Sequence, residues 1–188
     1  MRPVLLLLFG PSGVGKTEVI RVLCAGDRRF RYVSPFVTRP LRVGETDKVS
    51  ATSEQLASLW AAGDLLVINE LYGVKYGTPR RPIDEALRAG QFPVLDWPVS
   101  RVDIMTLAFG DAVHGVYLEP PDLNTLRSRL SGRDGSDERF AAAVEELEQL
   151  KAGAFDSFIQ CRFISGSNDI AGVARAVRRH CLDASERA

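Results

Sequence analysis

Residues 10–17 read Gly10-Pro11-Ser12-Gly13-Val14-Gly15-Lys16-Thr17, the spacing G-x-x-x-x-G-K-[ST]. Glycines at these positions let successive backbone N–H groups wrap one anion, and the N-terminus of a following helix adds the positive end of its dipole. A lysine at position 16 reaches the β- and γ-phosphates of a nucleoside triphosphate, and the Thr17 hydroxyl is an oxygen ligand for Mg²⁺. The expected site binds ATP·Mg²⁺ through Gly10, Ser12, Gly13, Val14, Gly15, Lys16 and Thr17. A glycine-rich turn that binds nothing is the alternative. The context argues against it, because an apolar run precedes the motif and helical spacing follows it.

A second group of polar residues begins about twenty positions on, at Thr38-Arg39-Pro40-Leu41-Arg42-Val43-Gly44-Glu45, followed by Tyr76-Gly77-Thr78 and by Val94-Leu95-Asp96 at the end of an apolar run. In these stretches, and in the order of its elements over nearly the whole length, the chain resembles the guanylate kinases and their relatives. The resemblance implies that Arg39, Arg42 and Tyr76 clamp the phosphate of an acceptor, with Thr78 facing its base. Two guanidinium forks and a phenol are chemically suited to hold a dianionic phosphate in line with the γ-phosphate of ATP. Solvated loop charges are the alternative for the two arginines. Glu45 either binds a substrate hydroxyl or pairs with a neighbouring arginine. Asp96 either helps hold Mg²⁺ through water or caps a strand end, and ligands gather beyond the carboxyl ends of parallel strands.

The pattern departs from that family where the family reads guanine. Val67 stands in place of a glutamate, Pro35 in place of a serine, Pro98 in place of an aspartate, and Val49 in place of a loop tyrosine. Apolar side chains neither donate nor accept hydrogen bonds, so the expected acceptor pocket is an altered, more apolar one that suits another phosphorylated sugar or nucleotide rather than GMP. The stretch Leu126-Arg127-Ser128-Arg129-Leu130-Ser131-Gly132-Arg133 resembles the family's basic helix end. There Arg129 and Arg133 are expected to touch ATP phosphates, Arg133 as a cis arginine finger. The family's second lid arginine falls at Ala143 or Val144, with Arg139 the nearest substitute; exposed helix charges are the alternative for Arg127, Arg129 and Arg139. Ser167, in Ser165-Gly166-Ser167-Asn168-Asp169, sits where the family cups adenine, or else belongs to a turn and N-cap.

The elements that must position these groups are legible from periodicity. Residues 4–9 are apolar without alternation, as in a central parallel strand covered on both faces. Helices are predicted over residues 16–24, 53–62 with Ser53 as N-cap, 82–89, 100–109, 122–130, 137–151 and 169–180, with a frayed tail after Leu182. Strands are predicted over residues 65–69, 92–96, 113–118 and 158–164, and residues 31–50 read as an irregular insert. This alternation specifies an α/β chain, the three-layer αβα P-loop NTPase fold. It has a central parallel sheet, a small acceptor-binding insert at about 34–80 and a helical lid at about 127–145, on a core of about 1–33 and 90–182, all within one domain, 1–188.

Composition narrows the partners. The 188 residues are 45% hydrophobic and 26% charged, with 24 basic and 24 acidic side chains. No broad positive field is available for a polynucleotide, so no nucleic-acid partner is expected. The first apolar run is too short to cross a membrane. Cys24, Cys161 and Cys181 lack metal or redox spacing and read as reduced cytoplasmic thiols, and His114 and His180 lack a partner at catalytic spacing. The expected protein is a cytoplasmic, ATP- and Mg²⁺-dependent phosphotransferase, monomer or homodimer, acting on a small phosphorylated acceptor, a nucleoside monophosphate or sugar phosphate. Two alternatives stand beside it: a ribose 1,5-bisphosphate phosphokinase, and a catalytically impaired nucleotide- or protein-binding module.

Overall fold

The computed structural model describes residues 2–132, 135–165 and 169–187, the side chain of Arg187 excepted. Its spine is β1 (Leu5–Phe9), all five side chains of which have zero exposure. Parallel partners flank it on both sides: β7 (Phe92–Asp96), with β2 (Phe30–Tyr32) beyond, and β8 (Val113–Glu119), with β9 (Cys161–Ile164) beyond. Because strand side chains alternate between faces, Leu6 and Leu8 enter one core and Leu5, Leu7 and Phe9 the other. The first core is covered by α1 (Lys16–Gly26) and α7 (Ile170–Arg187). The second is covered by α3 (Arg81–Arg88), α4 (Val102–Phe109) and α6 (Ser136–Lys151), through Ile83, Met105, Leu147 and Leu150. The result is the three-layer αβα arrangement of a P-loop NTPase.

A second sheet is built from the insert, in the order β4-β3-β6-β5. Its strands are β3 (Phe36–Val37), β4 (Val49–Ser50), β5 (Leu65–Leu71) and β6 (Val74–Pro79), with α2 (Ser53–Ala61) between β4 and β5. Sequence periodicity missed β3, β4 and β6. These strands are short or interrupted by Gly77, and their pairing is tertiary: a Cβ on Gly77 would lie 2.4 Å from Leu56 of α2. Tyr72 and Gly73, both at positive φ (52° and 71°), make the two-residue turn from β5 to β6. The helical pair α5 (Leu123–Leu130) and α6 packs Leu126, Leu130 and Ala143 together.

Among the boundaries that differ from the sequence expectation, three have a cause in named contacts. Helix α2 is capped by Thr52 rather than Ser53. The Thr52 hydroxyl accepts from Gln55 N (3.2 Å) while Gln55 Oε1 accepts from Thr52 N (2.8 Å), a reciprocal capping box. Strand β9 starts at Cys161 rather than residue 158, because Phe158 and Ile159 donate their N–H groups to Phe155 O in a turn. Helix α7 continues to Arg187, and no fray begins after Leu182. Ser185, 1% exposed, donates its hydroxyl to Arg2 O and accepts the Arg2 N–H at 3.1 Å, so the two chain ends fasten each other.

Asp27, at the C-cap of α1, joins distant elements: its carboxylate takes Arg29 Nη2 and Arg178 Nε, each at 2.7 Å. These hydrogen bonds hold the carboxyl well below its ordinary range, Arg29 being the largest cause. Both arginines are partly exposed, so solvent screens the pairs. Asp27→Asn is expected to cost about 1–2 kcal/mol in urea unfolding at neutral pH. The deficit should shrink on acidification, because the wild-type carboxylate contributes only while ionised.

Candidate active site

The glycine turn between β1 and α1 has the geometry its sequence demands. Gly10 sits at φ +127° with Leu118 O so close that a Cβ would approach it to 2.3 Å, and Gly15, at φ +106°, immediately precedes α1. Only glycine satisfies both the backbone angle and the close approach at residue 10. The Lys16 ammonium donates to Gly10 O and Pro11 O (3.1 Å) and stands 3.5 Å from Asp96 Oδ1. Asp96 arrives there because β7 pairs with β1 in a register that sets it opposite Leu8. Thr17 is exposed in the first turn of α1. The hydroxyl of Thr17 and the carboxylate of Asp96 are the oxygen donors suited to Mg²⁺. Among the described residues no group of three or more His, Cys, Asp or Glu gathers as a metal site. That fits an ion held mainly by substrate phosphates and water, with one or two protein ligands.

The insert brings together Arg39, Glu45 and Tyr76. Arg39 forms a two-pronged pair with Glu45, both N–O distances 2.7 Å, and Arg42 N donates to Glu45 Oε2 at 3.0 Å. Tyr76 reaches the same guanidinium, whose pKa is raised, by the Glu45 hydrogen bond first and by Tyr76 to a lesser degree. Of the two readings of Glu45, the one in which it pairs with an arginine is the contact present. Arg42 is exposed, and it enters the cluster through its backbone N–H. Lys48 was not anticipated. Its ammonium lies 3.3 Å from Glu45 and 2.9 Å from Asp47, with only 13% of the side chain exposed. Val49, its neighbour, is exposed and lines an apolar groove with Phe36 and α2. A lysine one position before an expected tyrosine was the available signal.

Two further features accompany these groups. Tyr32, at the end of β2, has its hydroxyl pKa pushed up by withdrawal from water and then by the charges of Asp96, Asp47 and Glu45. The other feature is the lid pair of helices. Arg129 Nη1 donates to Val14 O at 3.3 Å, and Arg139 Nη1 approaches Ser12 Oγ at 3.5 Å. Arg127 instead covers the Phe140 ring at 4.1 Å. Ala143 is 3% exposed against Leu126 and Leu130, where a charge has no room. Arg133 and Ser167 lie outside the described residues.

Strand register brings four side chains of the hairpin together. Val67 pairs with Thr78 and Asn69 with Tyr76, so these four side chains share one face of β5–β6. Val67 is packed into the second core, Thr78 is 4% exposed, and Asn69, also 4% exposed, keeps an Oδ1 with no partner among the described residues. Asn69 was not singled out from sequence; its place two residues from Val67 was the cue, since alternate strand residues share a face.

A phosphate loop on a parallel αβα core, a salt-bridged arginine–glutamate cluster in the insert and helix-borne arginines against the loop mark an ATP-dependent kinase of the nucleoside monophosphate kinase type. The sequence model of the family described as Guanylate kinase matches residues 1–165. Guanylate kinase of Granulibacter bethesdensis is 35% identical over 156 residues, covering 79% of this chain and 73% of that protein. Guanylate kinase of Enterococcus faecalis is 35% identical over 159 residues, with coverages of 79% and 77%. Guanylate kinase of Symbiobacterium thermophilum is 36% identical over 158 residues, with coverages of 80% and 73%. The crystal structure of guanylate kinase from Anaplasma phagocytophilum superposes with a TM-score of 0.74 at 20% identity, covering 96% of this chain and 85% of that one. The chain belongs to the guanylate kinase family.

Glu45 supplies a test of the cluster. Its carboxyl is lowered from 4.5 to about 2, by Arg39 first and by Arg42 N and Lys48 after it. A depressed carboxyl stabilises the fold above its unfolded value, and the contribution is lost as pH falls from 4.5 toward 2. A carboxyl-detected NMR titration should place the Glu45 midpoint near 2, and Arg39→Met should move it up toward 4.5. A midpoint near 4.5 in the unsubstituted protein would show the pair to be absent in solution.

Proposed function

We propose that this chain transfers the γ-phosphate of ATP to a phosphate oxygen of a nucleoside monophosphate, giving ADP and the nucleoside diphosphate. The observation that carries the reading is the phosphate loop itself, with Lys16 at its centre 3.5 Å from Asp96 at the end of β7, in a chain whose insert also holds the Arg39–Glu45 pair. In this reading Lys16 and the amides of residues 10–17 bind the ATP phosphates, while Arg39 and Tyr76 bind the acceptor phosphate and Thr78 lies in the acceptor pocket. Arg42 joins the clamp by swinging its exposed guanidinium inward. Arg129 and Arg133 belong to the lid, and Ser167 to the adenine end.

Thr17, and Asp96 through water, would hold Mg²⁺, which would supply charge neutralisation at the phosphates. The acceptor oxygen is already anionic, so no general base is needed. Its new bond to the γ-phosphorus forms as the bond from that phosphorus to the β–γ bridging oxygen breaks, and ADP departs with the electron pair. The side chains act by placing two anions in line and cancelling their repulsion. Glu45 keeps Arg39 aimed while leaving the cluster near neutral until the acceptor phosphate arrives.

Among nucleotides GMP is the first acceptor proposed, because the relatives are named guanylate kinases. A phosphorylated sugar, with ribose 1,5-bisphosphate as the acceptor and a sugar diphosphate as the product, is the second reading. It is favoured by Val67 lying in the core and by the imide of Pro35, which has no N–H to offer. A module that binds ATP without turnover is the third. All are separated by incubating the protein with ATP·Mg²⁺ and each of GMP, AMP, CMP, UMP and ribose 1,5-bisphosphate, and weighing the products. The expected result is acceptor-dependent ADP, lost by about 100-fold or more in Lys16→Met. Arg39→Met is expected to raise the acceptor KM roughly tenfold or more and leave ATP affinity unchanged. Absence of acceptor-dependent ADP with every member would falsify the phosphotransferase reading.

A further inference from the structure

The insert holds two buried polar atoms whose hydrogen-bonding capacity no described residue meets, Asn69 Oδ1 and Arg39 Nε. A carbonyl oxygen enclosed without a donor is costly, and in a native fold it points to a group outside the chain that completes it. Asn69 is only 4% exposed. The two atoms are linked through Tyr76. Asn69 and Tyr76 are cross-strand partners in the β5–β6 hairpin, and the Tyr76 side chain reaches the Arg39 guanidinium.

The two faces of the hairpin have different neighbours. Gly77 belongs to the outer face, where a Cβ would press on Leu56 of α2 and on Leu65. Val67, Asn69, Tyr76 and Thr78 belong to the inner face. Val67 shares the second core with Leu95 and Trp97, the residues on either side of Asp96. The unmet oxygen therefore lies on the face turned toward the main sheet, along which residue 67 is core and Tyr76 is site.

We propose that Asn69 is a specificity-determining residue for the acceptor, and that its Oδ1 receives a hydrogen bond from a hydroxyl of the acceptor's sugar. The chemistry of the two unmet atoms narrows the occupant. Arg39 Nε lacks an acceptor, which a phosphate oxygen supplies. Asn69 Oδ1 lacks a donor, which a phosphate dianion cannot be. A bare phosphate thus answers Arg39 and leaves Asn69 unmet. In a phosphorylated nucleoside or sugar the part bonded to the phosphate is the sugar, and its hydroxyls donate. One molecule with its phosphate on Arg39 and Tyr76 then satisfies both atoms. A site with a buried carbonyl aimed at a substrate hydroxyl rejects the analogue that lacks it, because the carbonyl is left unpaired.

This inference rests on the phosphotransferase reading, and its test keeps the two apart. The unsubstituted protein, Asn69→Leu, Asn69→Ala and Asn69→Asp are compared in kcat/KM for the acceptor and for its 2-deoxy and 3-deoxy sugar analogues, with GMP or ribose 1,5-bisphosphate as the acceptor that supports turnover. The unsubstituted protein is expected to prefer the full acceptor over one of the analogues by roughly tenfold or more. Asn69→Leu and Asn69→Ala should lower kcat/KM for the full acceptor by about that factor and stay within about twofold for that analogue, so that the preference disappears. Asn69→Asp, which keeps an acceptor oxygen, should keep the preference while binding the anionic acceptor more weakly. The thermal midpoint of Asn69→Leu should not fall, since the substitution removes an unpaired buried oxygen. Equal kcat/KM for the acceptor and both analogues in the unsubstituted protein assigns the oxygen to a buried water and overturns the proposal. A preference that survives in Asn69→Ala overturns it as well. If no acceptor supports turnover, the kinase reading fails, and Asn69 is judged by calorimetry with the same molecules. Tighter binding of a hydroxylated form that is lost in Asn69→Ala then sustains its role, and equal or absent binding removes it.

Discussion

Five consecutive side chains at zero exposure, Leu5 to Phe9, impose the constraint on which the rest depends. Burying each contributes about 1.5–3 kcal/mol relative to exposure, set against the entropy of ordering the strand. A strand buried on both faces must have a partner on each edge and helices above and below, so β7 and β8 are held beside it in fixed register. That register delivers Asp96 to Lys16 and brings Leu118 O against Gly10. The phosphate turn is consequently held by main chain on several sides, and its amides do not have to reorganise to receive an anion.

The opposing cluster is organised by charge rather than by burial. Arg39 and Lys48 meet Glu45 and Asp47 within a few residues of chain, and the short salt-bridged loop stays compact because each cation has a carboxylate at 2.7–3.3 Å. Tyr32, at the end of β2, has its ionisation suppressed by burial and then by the charges of Asp96, Asp47 and Glu45. No helix among the described residues is long and apolar enough to cross a membrane.

Much of the fold was legible because its signals are local. The apolar run, the glycine spacing and the helical periodicities of α1, α5 and α6 each follow from side-chain pattern alone, and Asp122 caps α5 through Thr125 N as its type suggests. Strand β6 was invisible, since Lys75, Gly77 and Pro79 are poor strand formers that sit in a sheet only through partners on β3 and β5. The extension of α7 was invisible for a similar reason. Polar residues after Leu182 look like a tail until Ser185 is seen bound to Arg2 at the far end of the chain.

Residue types and spacing by themselves determined the phosphate loop, the α/β class, and the chemical kind of each site group, because these depend on what a side chain can donate, accept or carry. Which groups meet was decided by the tertiary structure alone. Arg39 turned to Glu45 and Tyr76 while Arg42 stayed outside; Lys48 and Asn69 came to lie beside the predicted residues unannounced; Arg139 reached Ser12 across 127 positions of sequence. Spacing along the chain governs chemistry only within a turn or a strand. Beyond that distance, sheet register and helix packing set the neighbours, and those are properties of the whole core.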